Sequence, residues 1–274
     1  MAIFKTSNPA LGEKTFTGTA QEYANQPGLQ FGERFGGNLG DLTSRMTLNG
    51  TINRTGILLV CAMATAAWTW HLFLQAQQTE DISAWGAGGP WMLVGLFGGF
   101  ICAMVTIFKK EWSPITAPAY ALLEGLALGG ISAAFELRYP GIAIQAVGLT
   151  FATLFVLLLA YRSGLIRVTQ KFRLGVVAAT GGIAVFYLVE MLLGFFGVRF
   201  TSINGSGAIG IGFSLIIVAV ASLNLVLDFD FIEKGVQYGA PKYMEWYGAF
   251  GIMVTLIWLY LEMLRLLSKI HRRN

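Results

Sequence analysis

The sequence predicts an all-α, polytopic membrane protein of seven transmembrane helices, and three observations carry that prediction. Hydrophobic residues make up 55% of the 274 and charged residues only 12%, which is more apolar surface than a soluble domain could cover. Apolar runs long enough to cross a hydrocarbon core of about 30 Å, which takes about 20 residues, recur along the chain. The Lys and Arg residues lie in short clusters between those runs, as juxtamembrane charge does. The net charge of +4 therefore does not describe a basic domain, and nucleic acid is excluded as a partner.

Taken in order, residues 1–54 are polar and rich in Gly, Asn and Gln, with Phe16, Phe31 and Leu42 spaced too loosely for a packed core. The expectation is a partly disordered cytoplasmic arm that lies on the membrane surface. A transmembrane domain over 55–274 follows and ends in a short basic tail. Its spans are expected at 55–75, 87–108, 115–136, 142–161, 174–197, 207–228 and 247–267. The first begins too late for a cleavable signal peptide and is expected to stay in the mature chain. Only the turn Tyr139-Pro140-Gly141 separates the third and fourth spans, which predicts a helical hairpin.

Cys61 and Cys102 both fall inside apolar runs and read as small membrane-buried hydrophobes. The prolines fall in loops or first helical turns, whereas Gly is abundant inside the spans. Gly95 and Gly99 form a GxxxG pair, and Ala121, Gly125 and Gly129 form a ridge of small residues on the third span. Close helix packing is the reading preferred over a pore lining. Counted by side, 13 Lys and Arg residues lie with the N-terminus and 6 on the opposite side, so the positive-inside rule puts the N-terminus in the cytoplasm and the C-terminus outside. The basic tail from Arg265 to Arg273 runs against that rule.

An ionisable side chain inside a span costs about 2.5–3.5 kcal/mol on insertion scales, so each needs a partner or a purpose. Glu124, Glu190, Asp228 and Glu262 stand out. They are expected at different depths: Asp228 at the cytoplasmic end of the sixth span, Glu124 near mid-membrane, Glu190 and Glu262 toward the outer side. Oxygen ligands without histidine suit hard cations such as calcium. Each also has a plain structural reading. Glu262 precedes Arg265 by three residues and can form an ion pair with it on one helix face. Asp228 can simply mark the helix end, although Asn224, four residues earlier, extends a polar stripe into the span. Asp228 and Asp230 face different ways on a continuous helix and cannot both be ligands unless the helix ends there. Glu190 and Glu124 can each be neutral structural groups.

Hydrolytic chemistry finds little support. His71 and His271 are the two histidines, too few for a three-histidine zinc site, and no HExxH occurs. Ser206 with His71 could form a dyad, but the Gly-rich turn Gly205-Ser206-Gly207 accounts for the serine. No enzyme activity and no cofactor are expected.

The stretches Asn224-Leu-Val-Leu-Asp228-Phe-Asp230-Phe-Ile232-Glu-Lys234-Gly235 and Trp258-Leu-Tyr260-Leu-Glu262-Met-Leu-Arg265-Leu-Leu267 resemble the Bax inhibitor-1 (transmembrane Bax inhibitor motif) family, in its bacterial branch. Met46-Thr-Leu-Asn-Gly50-Thr and Ala119-Tyr-Ala-Leu-Leu-Glu124-Gly-Leu-Ala-Leu-Gly129 support the match, which runs from about residue 46 to the end. The resemblance implies six helices packed around a central seventh in a bacterial inner membrane. It also implies a pH-sensitive calcium leak gated by a cytoplasm-side pair of aspartates. The first aspartate falls on Asp228, which becomes the calcium-facing residue. The second position falls on Thr255, so Asp230 or Glu245 would have to stand in for the missing acid. A basic residue that latches the pair in some members falls near Lys109 and Lys110. Calcium ions, protons and the bilayer are the implied partners. The alternative function is a non-conducting regulator that uses the arm to bind another membrane protein, such as a quality-control protease.

Overall fold

The computed structural model describes residues 45–78, 84–197, 203 and 205–273. Among them are seven α-helices long and apolar enough to cross a membrane: α1 (Leu48–Gln78), α2 (Ala84–Phe108), α3 (Ser113–Arg138), α4 (Ile142–Arg162), α5 (Gln170–Phe195), α6 (Ala208–Gln237) and α7 (Met244–Arg273). A single 3-10 turn, Lys110–Trp112, joins α2 to α3, and no strand occurs among the described residues. The expected disorder of the arm concerns residues that, up to 44, lie outside the described ones. The compact unit that holds the helices begins at Arg45, and the last residues assigned to the arm, from Leu48, form the opening turns of α1.

The seventh helix is the core of the bundle. In α7, 67% of the apolar window is buried, against 6% in α5, and α7 packs on α1, α3, α4 and α6. Leu256, Leu259 and Leu264 on α7 meet Leu225 and Phe229 on α6 in one apolar cluster, and Met253 and Ile257 meet Leu58, Ala62 and Tyr120 in another. The central position of α7 is the arrangement that the resemblance implied.

The small-residue ridge works by close approach. A Cβ at Gly125 would stand 2.3 Å from the carbonyl oxygen of Ala62, and one at Gly129 would stand 2.2 Å from that of Ala66. On the opposite side of α3, a Cβ at Gly95 would lie 2.4 Å from the carbonyl oxygen of Leu123. Three helices thus meet backbone to backbone, as small residues allow in a membrane. The α3–α4 hairpin also forms as expected. Gly141 takes a left-handed φ of 85°, and the Glu136 carboxylate accepts from the backbone N–H groups of Gly141 at 2.6 Å and Ala143 at 3.1 Å. Glu136 therefore caps α4 from the preceding helix.

Two sequence expectations need correction. Pro90 and Pro118 lie past the first turn, inside α2 and α3, where each removes one backbone hydrogen bond near the helix start. The sixth helix does not stop at Asp228 but continues to Gln237, with its charged extension held by side-chain bonds: Asp230 to Lys234 at 2.7 Å, and Glu233 to the Tyr161 hydroxyl. Hydropathy marks where the apolar run ends, whereas these bonds decide where the helix ends. At a rise of about 1.5 Å per residue, Asp228 sits roughly 13 Å inside the helix end.

Candidate functional site

A continuous helix separates Asp228 from Asp230 and gives each its own partners. Asp228 faces the central helix, where Thr255 donates its hydroxyl to Oδ2 at 2.6 Å. Thr255 is 8% exposed, and Gly251, one turn earlier on α7, leaves room for the carboxylate, since a Cβ there would lie 3.7 Å from Oδ1. The two positions that the resemblance pairs are therefore in contact, with a hydroxyl in place of the second acid. Asp230 turns toward α5 instead. It accepts from Arg173 Nη2 at 2.5 Å and from Lys234 Nζ at 2.7 Å, and is 7% exposed.

Glu245 opens α7 and is fully buried. Its carboxylate accepts from Arg54 Nε at 2.8 Å, Lys242 Nζ at 2.9 Å, and the Thr47 N–H at 3.0 Å and hydroxyl at 2.8 Å. Arg54 also lies over the Trp246 ring, 4.7 Å from its centroid. Gly50 is there for space, because a Cβ would fall 2.1 Å from Glu245 Oε1. The stretch Met46-Thr-Leu-Asn-Gly50-Thr is thus the cradle of Glu245. Composition alone gave no sign of it, since the acid and its cradle are about two hundred residues apart.

The remaining candidates are spread through the bundle. Glu262 is 2% exposed, pairs with Arg265 at 3.0 Å as its spacing predicted, and accepts the Tyr187 hydroxyl at 2.9 Å; Arg265 also donates to that hydroxyl. Glu190, one turn beyond Tyr187 on α5, lies within electrostatic reach of Lys269. Glu124 stands against Gly99, where a Cβ would lie 2.7 Å from Oε2. Lys109 and Lys110 sit in the turn between α2 and α3 and make no ion pair among the described residues. Lys110 instead places Nζ 5.4 Å from the Tyr247 ring centroid. Asp230 and Glu245, the suggested stand-ins for the second acid, are each neutralised by other partners.

The sequence reading missed Arg54, Arg173, Tyr187 and Lys269. Lys269 is 6% exposed and donates to the carbonyls of Ile203 and Gly210 and to Ser214 Oγ, at 2.8–3.0 Å. A basic residue in a helix's last turns reads as a membrane-edge anchor, and its acceptors lie on another element.

As chemistry, the Asp228–Thr255 pair offers oxygen ligands alone, and no three His, Cys, Asp or Glu side chains converge on a metal position among the described residues. Calcium takes six to eight oxygens, of which this pair supplies side-chain oxygens from two residues.

Comparison with curated proteins returns no match, and comparison with solved structures returns none. The family model described as "Bax inhibitor 1 like" matches residues 8–272, nearly the whole chain. With seven apolar spans, the seventh of them the most buried, and a family match of that extent, the chain belongs to the Bax inhibitor 1 like family of integral membrane proteins.

Proposed function

We propose that this protein is a pH-sensitive calcium leak pathway of the membrane, with Asp228 at its gate. The observation that carries the proposal is the 2.6 Å bond between Asp228 and Thr255, which ties a carboxylate deep in α6 to the central helix. Protons and calcium compete for the same carboxylate oxygens, so calcium binding weakens as pH falls. A change in charge at Asp228 changes what holds α6 to α7, and so couples occupancy of the site to helix packing. The ion pairs of Asp230, Glu245 and Glu262 hold the bundle around that contact, and the reading assigns the chain no catalytic chemistry. The basic balance of the loops supports a cytoplasmic N-terminus and an external C-terminus, and the resemblance to the bacterial branch supports a bacterial inner membrane.

One observation favours the alternative of a non-conducting regulator: Asp230, Glu245 and Glu262 are all neutralised by neighbouring cations, as in a purely structural role. Calcium flux into proteoliposomes on either side of neutral pH, with Asp228→Asn and Glu262→Gln beside the native chain, separates the two. Flux that depends on pH and loses that dependence in Asp228→Asn supports the leak. No flux from folded protein at any pH removes it and favours the regulator.

A further inference from the structure

The basic tail of α7 runs against the charge distribution of the loops, and its side chains converge on one place. Arg265, Lys269 and Arg272, with Arg138 from the end of α3, line a cavity of about 400 Å³ alongside Tyr139 and Ser268. Among the described residues, none that lines it is acidic. Arg265 engages Glu262 and Tyr187 through Nη1, and its other guanidinium nitrogens make no hydrogen bond among the described residues. Lys269 donates to two carbonyls and a hydroxyl, all neutral, so its charge is not cancelled. Arg138 and Arg272 are exposed and form no ion pair among the described residues; the Arg138 guanidinium lies 5.9 Å from the Tyr139 ring.

The acids nearby do not balance these four cations. Glu262 and Glu190 lie within electrostatic reach of Lys269, and Glu136, near the end of α3, is committed to the N-terminus of α4. A helix C-terminus favours cations, which accounts for Arg272 and Arg273 at the end of α7. The same preference accounts for Arg138 as the last residue of α3, but it does not require the two helix ends to bring their cations to one cavity. The cavity lies where two helices long and apolar enough to span a membrane end, the level at which lipid headgroups are expected, and Ala134 and Phe135 add apolar surface to its lining. A ligand there meets positive charge at its head and hydrocarbon along its tail.

From this arrangement we propose that the cavity binds the phosphate of an anionic lipid headgroup, held by the Arg138 and Arg272 guanidinium groups in the field of Arg265 and Lys269. Arginine forks match phosphate oxygens two at a time, and basic pockets between transmembrane helices suit such headgroups. The site is separate from Asp228 and does not depend on whether the protein conducts calcium.

The test uses the purified full chain in nonionic detergent, titrated with phosphatidylglycerol, with phosphatidylcholine and with inorganic phosphate, and reads retained lipid by native mass spectrometry. Phosphatidylglycerol should stay bound where phosphatidylcholine does not. The double variant Arg138→Gln/Arg272→Gln should weaken it roughly 30-fold, the effect of two juxtamembrane charges, while Arg138→Lys/Arg272→Lys retains most of the binding. Equal retention of the two lipids overturns the proposal, as does unchanged affinity in the glutamine variant. Displacement of phosphatidylglycerol by inorganic phosphate at matched concentration overturns it in favour of a soluble anion. Should the glutamine variant not fold, salt decides in the native chain, because binding that is indifferent to high salt overturns a charge-based site.

Discussion

Thr255 donates its hydroxyl to Asp228 across the α6–α7 contact at 2.6 Å, so a neutral group stands where a di-aspartyl sensor has its second acid. Thr255→Val keeps the side chain's shape and removes the donor. The carboxylate, left without its partner against the core helix, should cost about 1–3 kcal/mol of stability. Thermal unfolding in detergent reads this, and an unchanged midpoint means that the hydroxyl does not support Asp228. Thr255→Asp makes the reverse change. Two carboxylates within bonding distance titrate as a coupled pair, so calcium flux should depend on pH more steeply than in the native chain.

Glu245 is predicted to anchor the start of the central helix. Its two cations remain partly in solvent, with side chains 23% exposed for Arg54 and 43% for Lys242. Glu245→Ala should therefore cost about 3 kcal/mol, near the low end for a broken buried ion pair. Gly50→Ala should approach that loss with every charged residue left in place, because its Cβ would fall 2.1 Å from Glu245 Oε1 and push the carboxylate from its donors. An unfolding midpoint for Gly50→Ala equal to that of the native chain would contradict the cradle.

Much of this architecture was legible in the sequence because hydrophobic length and helix periodicity are local. The seven spans, the hairpin at Tyr139-Pro140-Gly141 and the Glu262–Arg265 pair all follow from residues close together in the chain. The end of α6 did not follow from hydropathy, because Asp230 and Glu233 are held in the helix by Arg173, Lys234 and Tyr161. The partners of Glu245 and Lys269 were hidden for the same reason: Thr47 and Arg54 reach the first from the opposite end of the chain, and Gly210 and Ser214 reach the second from α6. The resemblance put the second position on Thr255, but the bond that this residue makes to Asp228 across the two helices was not legible from spacing.

The ridge on α3 makes a prediction about assembly. Gly129→Val would drive a branched side chain into the Ala66 carbonyl, 2.2 Å from the Cβ position. The neighbour is backbone and cannot rotate away, so α1 must separate from α3. The expected result is loss of folded, monodisperse protein on size-exclusion chromatography. Gly148→Val is the matched control, since no atom lies within 4 Å of a Cβ there, and it should behave as the native chain does.

The least buried helix is predicted to be held by polar contacts more than by packing. Arg173, Thr180 and Tyr187 recur at intervals of seven residues, so they share one face of α5 about 10 Å apart. Each meets a polar group of the core: Arg173 bonds Asp230 at 2.5 Å, Thr180 accepts from Asn224 Nδ2 at 2.7 Å, and Tyr187 donates to Glu262 at 2.9 Å. The remainder of α5 presents Val177, Val185, Leu188 and Leu192, 49–60% exposed, to its surroundings. Hydrocarbon solvates such side chains as well as a helix would, so they contribute little to docking. Cutting a polar contact should therefore loosen α5 out of proportion to the area it buries. Asp230→Asn removes the charge that Arg173 meets, and Asn224→Leu removes the middle contact. Each should speed amide hydrogen exchange along α5 by several-fold and leave α7 protected, and the pair should exceed the sum of the singles because both act on one rigid element. Unchanged exchange in the double variant would show that packing against α6 alone secures the helix.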